Sequence, residues 1–156
     1  MSGYHTVVVG TDGSVPSMQA VEHAARIAAA SDAKLIITTA YVHHGDEGPY
    51  HHSEEPRAED LLKDEGWQVH GEAPIYERLH EARERAEAVG ASNIEVRPII
   101  GGPVHVLLEL AEEVQADLLV VGNLGMTTIG GRLLGSVPAS ITRHAKTDVL
   151  VVHTRD

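Results

Sequence analysis

Thr6-Val7-Val8-Val9-Gly10-Thr11-Asp12-Gly13-Ser14 is the stretch that decides the fold. The valine run would be apolar on both of its faces, the pattern of a central strand buried from two sides in a parallel sheet. Ser14 is a natural N-cap for a helix, and Pro16 is tolerated in the first turn. Met18, Val21, Ala25 and Ala28 then recur at spacings of three and four, which gives a helix one apolar stripe. A buried strand, a tight turn and an amphipathic helix are the first half of a strand-helix-strand unit.

Working outward, strand two is Lys34 to Ala40, with Leu35, Ile36 and Ile37 at its centre. Pro74 opens a helix whose stripe is Ile75, Leu79, Ala82, Ala86 and Val89, and Gly90 follows as its stop. Strand three is Ile94 to Ile100. Pro103 starts a helix that turns Val104, Leu107, Leu108, Ala111 and Val114 inward. Strand four is Asp117 to Gly122, a last helix runs from about Ser136 to Ala145, and strand five is Asp148 to His153. Right-handed crossovers turn this order into an α/β fold, an open doubly wound five-stranded parallel sheet with order 3-2-1-4-5. The topological switch then lies between strands one and four, where such sheets bind ligands at the strands' carboxyl ends. With 156 residues, 1–156 reads as a single domain.

Between Tyr41 and about Gly71 the character changes to a polar, acidic and His-rich excursion, too long for an ordinary connection, with a short helix near Glu59 to Glu65. His43, His44, His51 and His52 cluster in it, but no paired spacing fixes a metal geometry and no cysteine assists. The expectation is a solvated stretch and no metal site. His105 reads as a surface or boundary residue. Trp67 and Tyr76 read as anchors of the excursion against the body.

The chain contains no Phe and only 3% aromatic residues, so its core must be built from Val, Ile, Leu and Ala. The absence of cysteine excludes a disulfide framework, a thiolate nucleophile and a zinc ribbon, and suits a reducing cytoplasm. Met1 to Thr6 leads into the first strand without a basic leader, and no apolar run approaches 18 residues, so neither a signal peptide nor a membrane span is expected. The formal charge of −11 repels nucleic acid and anionic lipid. A small anion is still admissible where main-chain N–H groups make a local positive pocket.

Such a pocket is suggested by the loop after strand four. Gly122 and Gly125 can take positive φ and let a ligand approach the backbone. Gly135-Ser136 stands at the mouth of the last helix, where free N–H groups and the helix dipole favour phosphate. Competing motifs fail. Gly130 to Ser136 lacks the Gly-Lys of a Walker A loop, no G-x-G-x-x-G follows strand one, and no phospho-accepting Asp follows strand three.

The loop reads G-x2-G-x9-G-S over Gly122, Gly125, Gly135 and Ser136, with Met126 to Leu134 as the nine-residue spacer. Together with Val7 to Ser14, Gly135-Ser136-Val137-Pro138 and the closing Asp148 to Val152, it resembles the ATP-binding branch of the universal stress protein family over nearly the whole chain. The resemblance is to small single-domain actinobacterial members, some of which bind cyclic AMP. It implies a Rossmann-like fold of the adenine nucleotide alpha hydrolase-like type. By the same resemblance Asp12 would bond the ribose hydroxyls, although Asp also makes turns in such stretches. The backbone of Ala40 would read the adenine edge, and Gly10 and Thr11 would line the floor. Val121, Gly122, Gly125 and Met126 would form the wall and first phosphate contacts, and Gly135, Ser136 and Val137 the phosphate cradle.

Arg132 is the loop's only cation, so both ATP, with Mg possible, and singly charged cyclic AMP stay open as ligands. The expected role is a nucleotide-binding stress or signalling module without catalytic residues. A slow ATP hydrolase, or a nucleotide-free scaffold binding a protein through the excursion, is the alternative. The apolar edge strand 148–153 implies a homodimer, as is common in the family.

Overall fold

Val7, Val8 and Val9 each have 0% exposure. Two-sided burial of this kind is what a middle strand of a parallel sheet demands. They belong to β1 (Thr6–Gly10) of a computed structural model that describes residues 3–41, 73–123 and 136–154. The other described elements are α1 (Val15–Ser31), β2 (Lys34–Tyr41), α2 (Ala73–Ala88), β3 (Ile94–Ile100), α3 (Pro103–Glu113), β4 (Leu118–Gly122), α4 (Ser136–His144) and β5 (Asp148–Val152). Every pairing is parallel, and the five strands lie in the order β3-β2-β1-β4-β5, as the sequence predicts. Bounds shift only slightly: β2 continues to Tyr41, β4 begins at Leu118 and β5 ends at Val152 rather than His153.

The period-two alternation of the strands sorts the core into two layers. Val7, Val9, Leu35, Ile37, Leu118 and Val120 face α1 and α2, where they meet Met18, Val21, Ala25, Leu79 and Ala82. Val8, Ile36, Leu119 and Val121 face α3 and α4, where they meet Leu107, Leu110 and Ile141. Helices therefore cover both faces of one sheet, with mostly aliphatic side chains between them and Tyr41 buried in the first layer. Tyr76 packs against the first layer. The helix ends follow local chemistry. Asp32 closes α1 in a left-handed conformation at φ 55°, and Gly90 stands just past α2 at φ 111°.

Asp117 ties down the other end of the sheet. Its carboxylate accepts hydrogen bonds from the amides of His5 at 2.9 Å and Thr6 at 2.9 Å. Burial pushes its pKa up, but the amide bonds from Thr6 and His5 outweigh that and hold it below the usual aspartate value. Most of the 41–71 excursion, with His43, His44, His51, His52 and Trp67, lies outside the described residues.

Candidate functional site

The strands end at unequal heights, and this creates the site. The β1–β2 ladder closes at Gly10 opposite Thr38, and the amide of Thr11 adds one bond to the Thr38 carbonyl at 2.9 Å. β2 nevertheless continues through Thr39, Ala40 and Tyr41, paired only with β3. On the other side β4 continues to Gly122, paired with β5. The tip of β1 is thus recessed between two strands that run on past it, at the switch point of the sheet.

Buried hydroxyls hold the chain as it leaves that recess. Thr11 is fully buried, with its Oγ1 2.7 Å from Ser17 Oγ, and it accepts from the amide of Gly13 at 3.0 Å. The hydroxyl of Thr39 donates to the Thr11 carbonyl. Asp12 is half-buried, and its Oδ1 accepts from the Ser14 amide at 2.9 Å. The turn-forming role of Asp12 is therefore real, and its other oxygen has no hydrogen bond among the described residues. Ser14 caps α1, its side chain accepting from the Ser17 amide at 3.3 Å.

Of the residues singled out in the sequence, the structure brings Gly10, Thr11, Asp12, Ala40, Val121 and Gly122 to these strand ends. Gly10 and Val121 are buried, while Ala40 and Gly122 are half-buried. Ser136 is exposed as the first residue of α4, and Val137 behind it is buried in the second core layer. Gly125, Met126, Arg132 and Gly135 lie outside the described residues.

Gly122 needs a correction. It is absent from the described glycines with positive φ, which are Gly13, Gly90 and Gly101. Its lack of a side chain serves a close approach instead. A Cβ there would stand 3.3 Å from Thr154 Cγ2 and 3.9 Å from the Pro16 carbonyl oxygen. Thr154 is itself a buried residue beyond β5, and Asn123 holds it. Asn123 Oδ1 accepts from the Thr154 amide and hydroxyl, each at 2.8 Å, while the Asn123 amide donates to the Val152 carbonyl at 2.8 Å. The root of the glycine loop is clamped by the segment that follows the edge strand.

Two residues beside the recess escaped the sequence reading, Thr154 and Arg78. Gly13 has φ 85°, and a Cβ on it would lie 2.7 Å from Cδ of Arg78, on α2. No local pattern announces either contact, because each joins segments far apart in the chain.

A profile described as the universal stress protein family matches residues 3–153. The chain is similar to the universal stress protein Rv1636 of Mycobacterium tuberculosis strain H37Rv, with 62% identity over 154 residues that cover 99% of each. It is similar in structure to a universal stress protein solved in complex with cAMP, at 54% identity and a TM-score of 0.74, covering 99% of this chain and 100% of that one. It shares the fold of the universal stress protein from Archaeoglobus fulgidus solved with dAMP, at 20% identity and a TM-score of 0.65, covering 95% and 97% of the two chains.

Proposed function

The chain belongs to the universal stress protein family, and from that premise we propose that it holds an adenine nucleotide, cyclic AMP or ATP, as a stress-response or signalling module. The observation that carries the reading is the recess at the tip of β1, walled by β2 and β4, with Asp12 beside it, one of whose oxygens has no hydrogen bond among the described residues. That oxygen of Asp12 suits a ribose hydroxyl, since a carboxylate is an acceptor only. The extended end of β2 at Ala40 offers main-chain groups to the adenine edge, over a floor of Gly10 and Thr11. Val121, Gly122, Gly125 and Met126 supply the wall, and Gly135, Ser136 and Val137 receive phosphate at the mouth of α4. Cyclic AMP is the better electrostatic match, because one negative charge asks less of a strongly acidic chain than three phosphates do. The likeness to the protein solved with cAMP, at 54% identity, supports the same choice.

We read the chain as one cytoplasmic domain that binds and does not catalyse. Phosphoryl transfer to water needs a group that orients the water, and usually carboxylates that hold Mg. Among the described residues Asp12 is the acid at these strand ends, and its Oδ1 is already committed to the turn. The resemblance also suggests a homodimer through strand 148–153. β5 is one of the two edge strands, and Val149, Leu150 and Val151 on it are only part-buried. Nucleic acid and membrane are not among the proposed partners, given the net charge of −11.

Calorimetric titration with cyclic AMP and ATP tests the proposal. Saturable binding that Asp12→Ala or Gly125→Ala weakens is the expected result, and undiminished binding in both variants removes the site. A magnesium-dependent turnover of about one per second or faster would favour the hydrolase reading.

A further inference from the structure

We propose that Ser17 is a positioning residue of the site: its buried hydroxyl fixes the turn that carries Asp12, and so sets how strongly a ribose 2′-hydroxyl is recognised; this rests on the nucleotide reading above. Ser17 stands in the first turn of α1, just past the cap Ser14. A short hydroxyl there reaches the main chain at the helix mouth, where Ser makes local bonds readily. Ser17 is only 5% exposed, and Met18 beside it is buried in the first core layer. The hydroxyl is therefore anchored to the packed helix, and water does not readily replace it.

Counting protons fixes the direction of each bond this hydroxyl makes. Ser17 Oγ stands 3.0 Å from the Ser14 carbonyl, which can only accept, so the single Ser17 proton goes there. The lone pairs of Ser17 Oγ then take the Asp12 amide at 3.3 Å and the Thr11 hydroxyl at 2.7 Å, and Thr11 is the donor of that pair. Thr11 Oγ1 in turn accepts from the Gly13 amide at 3.0 Å. Thr11, Asp12, Gly13 and Ser14 are thus all tied, directly or through Thr11, to the one hydroxyl of Ser17.

The consequence is positional. Thr11 is also tied to β2, through its amide at 2.9 Å from the Thr38 carbonyl and through its own carbonyl, which accepts from the Thr39 hydroxyl. Asp12 therefore hangs between two fixed points, one on the sheet and one on α1. Its Oδ1 is held within the turn by the Ser14 amide at 2.9 Å, and its other oxygen is the proposed ribose acceptor. A hydrogen bond weakens steeply as distance and angle drift, so this acceptor is most effective when the turn under it cannot move. In cyclic AMP the 3′ oxygen is locked in the phosphate ring, which leaves the 2′-hydroxyl as the free ribose donor. Recognition of that group is what Ser17 controls.

The experiment is calorimetric titration of the full chain with cyclic AMP and 2′-deoxy cyclic AMP, alongside urea unfolding. The proteins are wild type, S17A, T11V, D12A, the S17A/D12A double variant and, as a destabilised control at the other end of the sheet, D117N. Wild type should prefer cyclic AMP about tenfold or more, the range for a hydrogen bond to a charged acceptor. S17A should cut that preference to about threefold or less while changing 2′-deoxy cyclic AMP binding by less than about twofold, as weakening of that one bond requires. T11V removes the Thr11 hydroxyl and keeps its shape; it should shift the preference the same way, and it decides the matter where S17A does not fold. In the D12A background S17A should change cyclic AMP binding by less than about twofold, since residues acting through one contact are not additive. D117N should keep the wild-type preference although it unfolds at lower urea. A wild-type preference in the folded variant, or an equal loss for both ligands, overturns the proposal. If D12A removes the preference and S17A does not, the inference falls alone. If wild type binds both ligands equally, Asp12 does not hold the ribose and the inference falls with that assignment. If wild type binds neither, the nucleotide reading falls and the inference with it.

Discussion

Replacing Asn123 with alanine should loosen the root of the glycine loop by a predictable amount. The side-chain oxygen of Asn123 accepts from both the amide and the hydroxyl of Thr154 at 2.8 Å. Thr154 is only 5% exposed, so water does not readily replace the lost acceptor. A buried donor left without a partner costs about 1–3 kcal/mol. The hydroxyl can turn toward another acceptor, but the amide cannot. The sum is then about 2–3 kcal/mol, one full penalty plus a reduced one. With a urea slope of roughly 2 kcal/mol per molar, the unfolding midpoint should fall by about 1 M. Thr154→Val removes the hydroxyl and keeps the amide, so its midpoint should fall by roughly half as much. Both groups share one acceptor, so the double variant should cost about 0.5 kcal/mol or more below the sum of the singles. Urea unfolding followed by circular dichroism measures all three. A midpoint shift in Asn123→Ala below about 0.2 M, or strict additivity in the double variant, would refute the idea that this contact holds the loop root.

Asp117 makes stability depend on pH in one direction. Its folded pKa lies below the unfolded value, because the amide bonds from Thr6 and His5 outweigh burial. Its contribution is therefore complete above the unfolded aspartate value of about 4, and it is lost as pH falls through the lower folded value. Asp117→Asn should destabilise the protein at neutral pH and do so much less near pH 2, measured by urea midpoints at both; equal losses contradict the sign. Gly13→Ala forces an alanine into the left-handed region, which costs roughly 1–2 kcal/mol, or a few degrees in thermal midpoint for a chain of this size. The added methyl would also stand 2.7 Å from Arg78 Cδ, so that stem must shift; a variant whose thermal midpoint equals that of wild type counts against the contact.

The elements of this protein are legible in its sequence because each is written in a short window. Three consecutive β-branched valines in a short run bounded by Gly10 read as a strand buried on both faces. Ser14 and Pro16 mark a helix start, and Gly90 marks a helix stop, through backbone chemistry that acts within a few residues. Right-handed crossovers then make a doubly wound parallel sheet, which puts Thr11-Asp12-Gly13-Ser14 and Gly122 at the same end of the sheet. The motif glycines Gly125 and Gly135 are likewise legible as a spaced pattern.

Tertiary structure decided what depends on register and on contacts between distant segments. The depth of the recess follows from β2 outrunning β1 past Thr38, and ladder lengths are not encoded in either strand alone. Gly122 looked like a positive-φ glycine; its real constraint is the methyl of Thr154, which folding brings from beyond β5. Arg78 meets Gly13 only because α1 and α2 pack side by side on one face of the sheet. Local propensity sees three to five residues at a time, whereas packing and charge act through space, so the sequence specified the frame and the fold chose the site's neighbours.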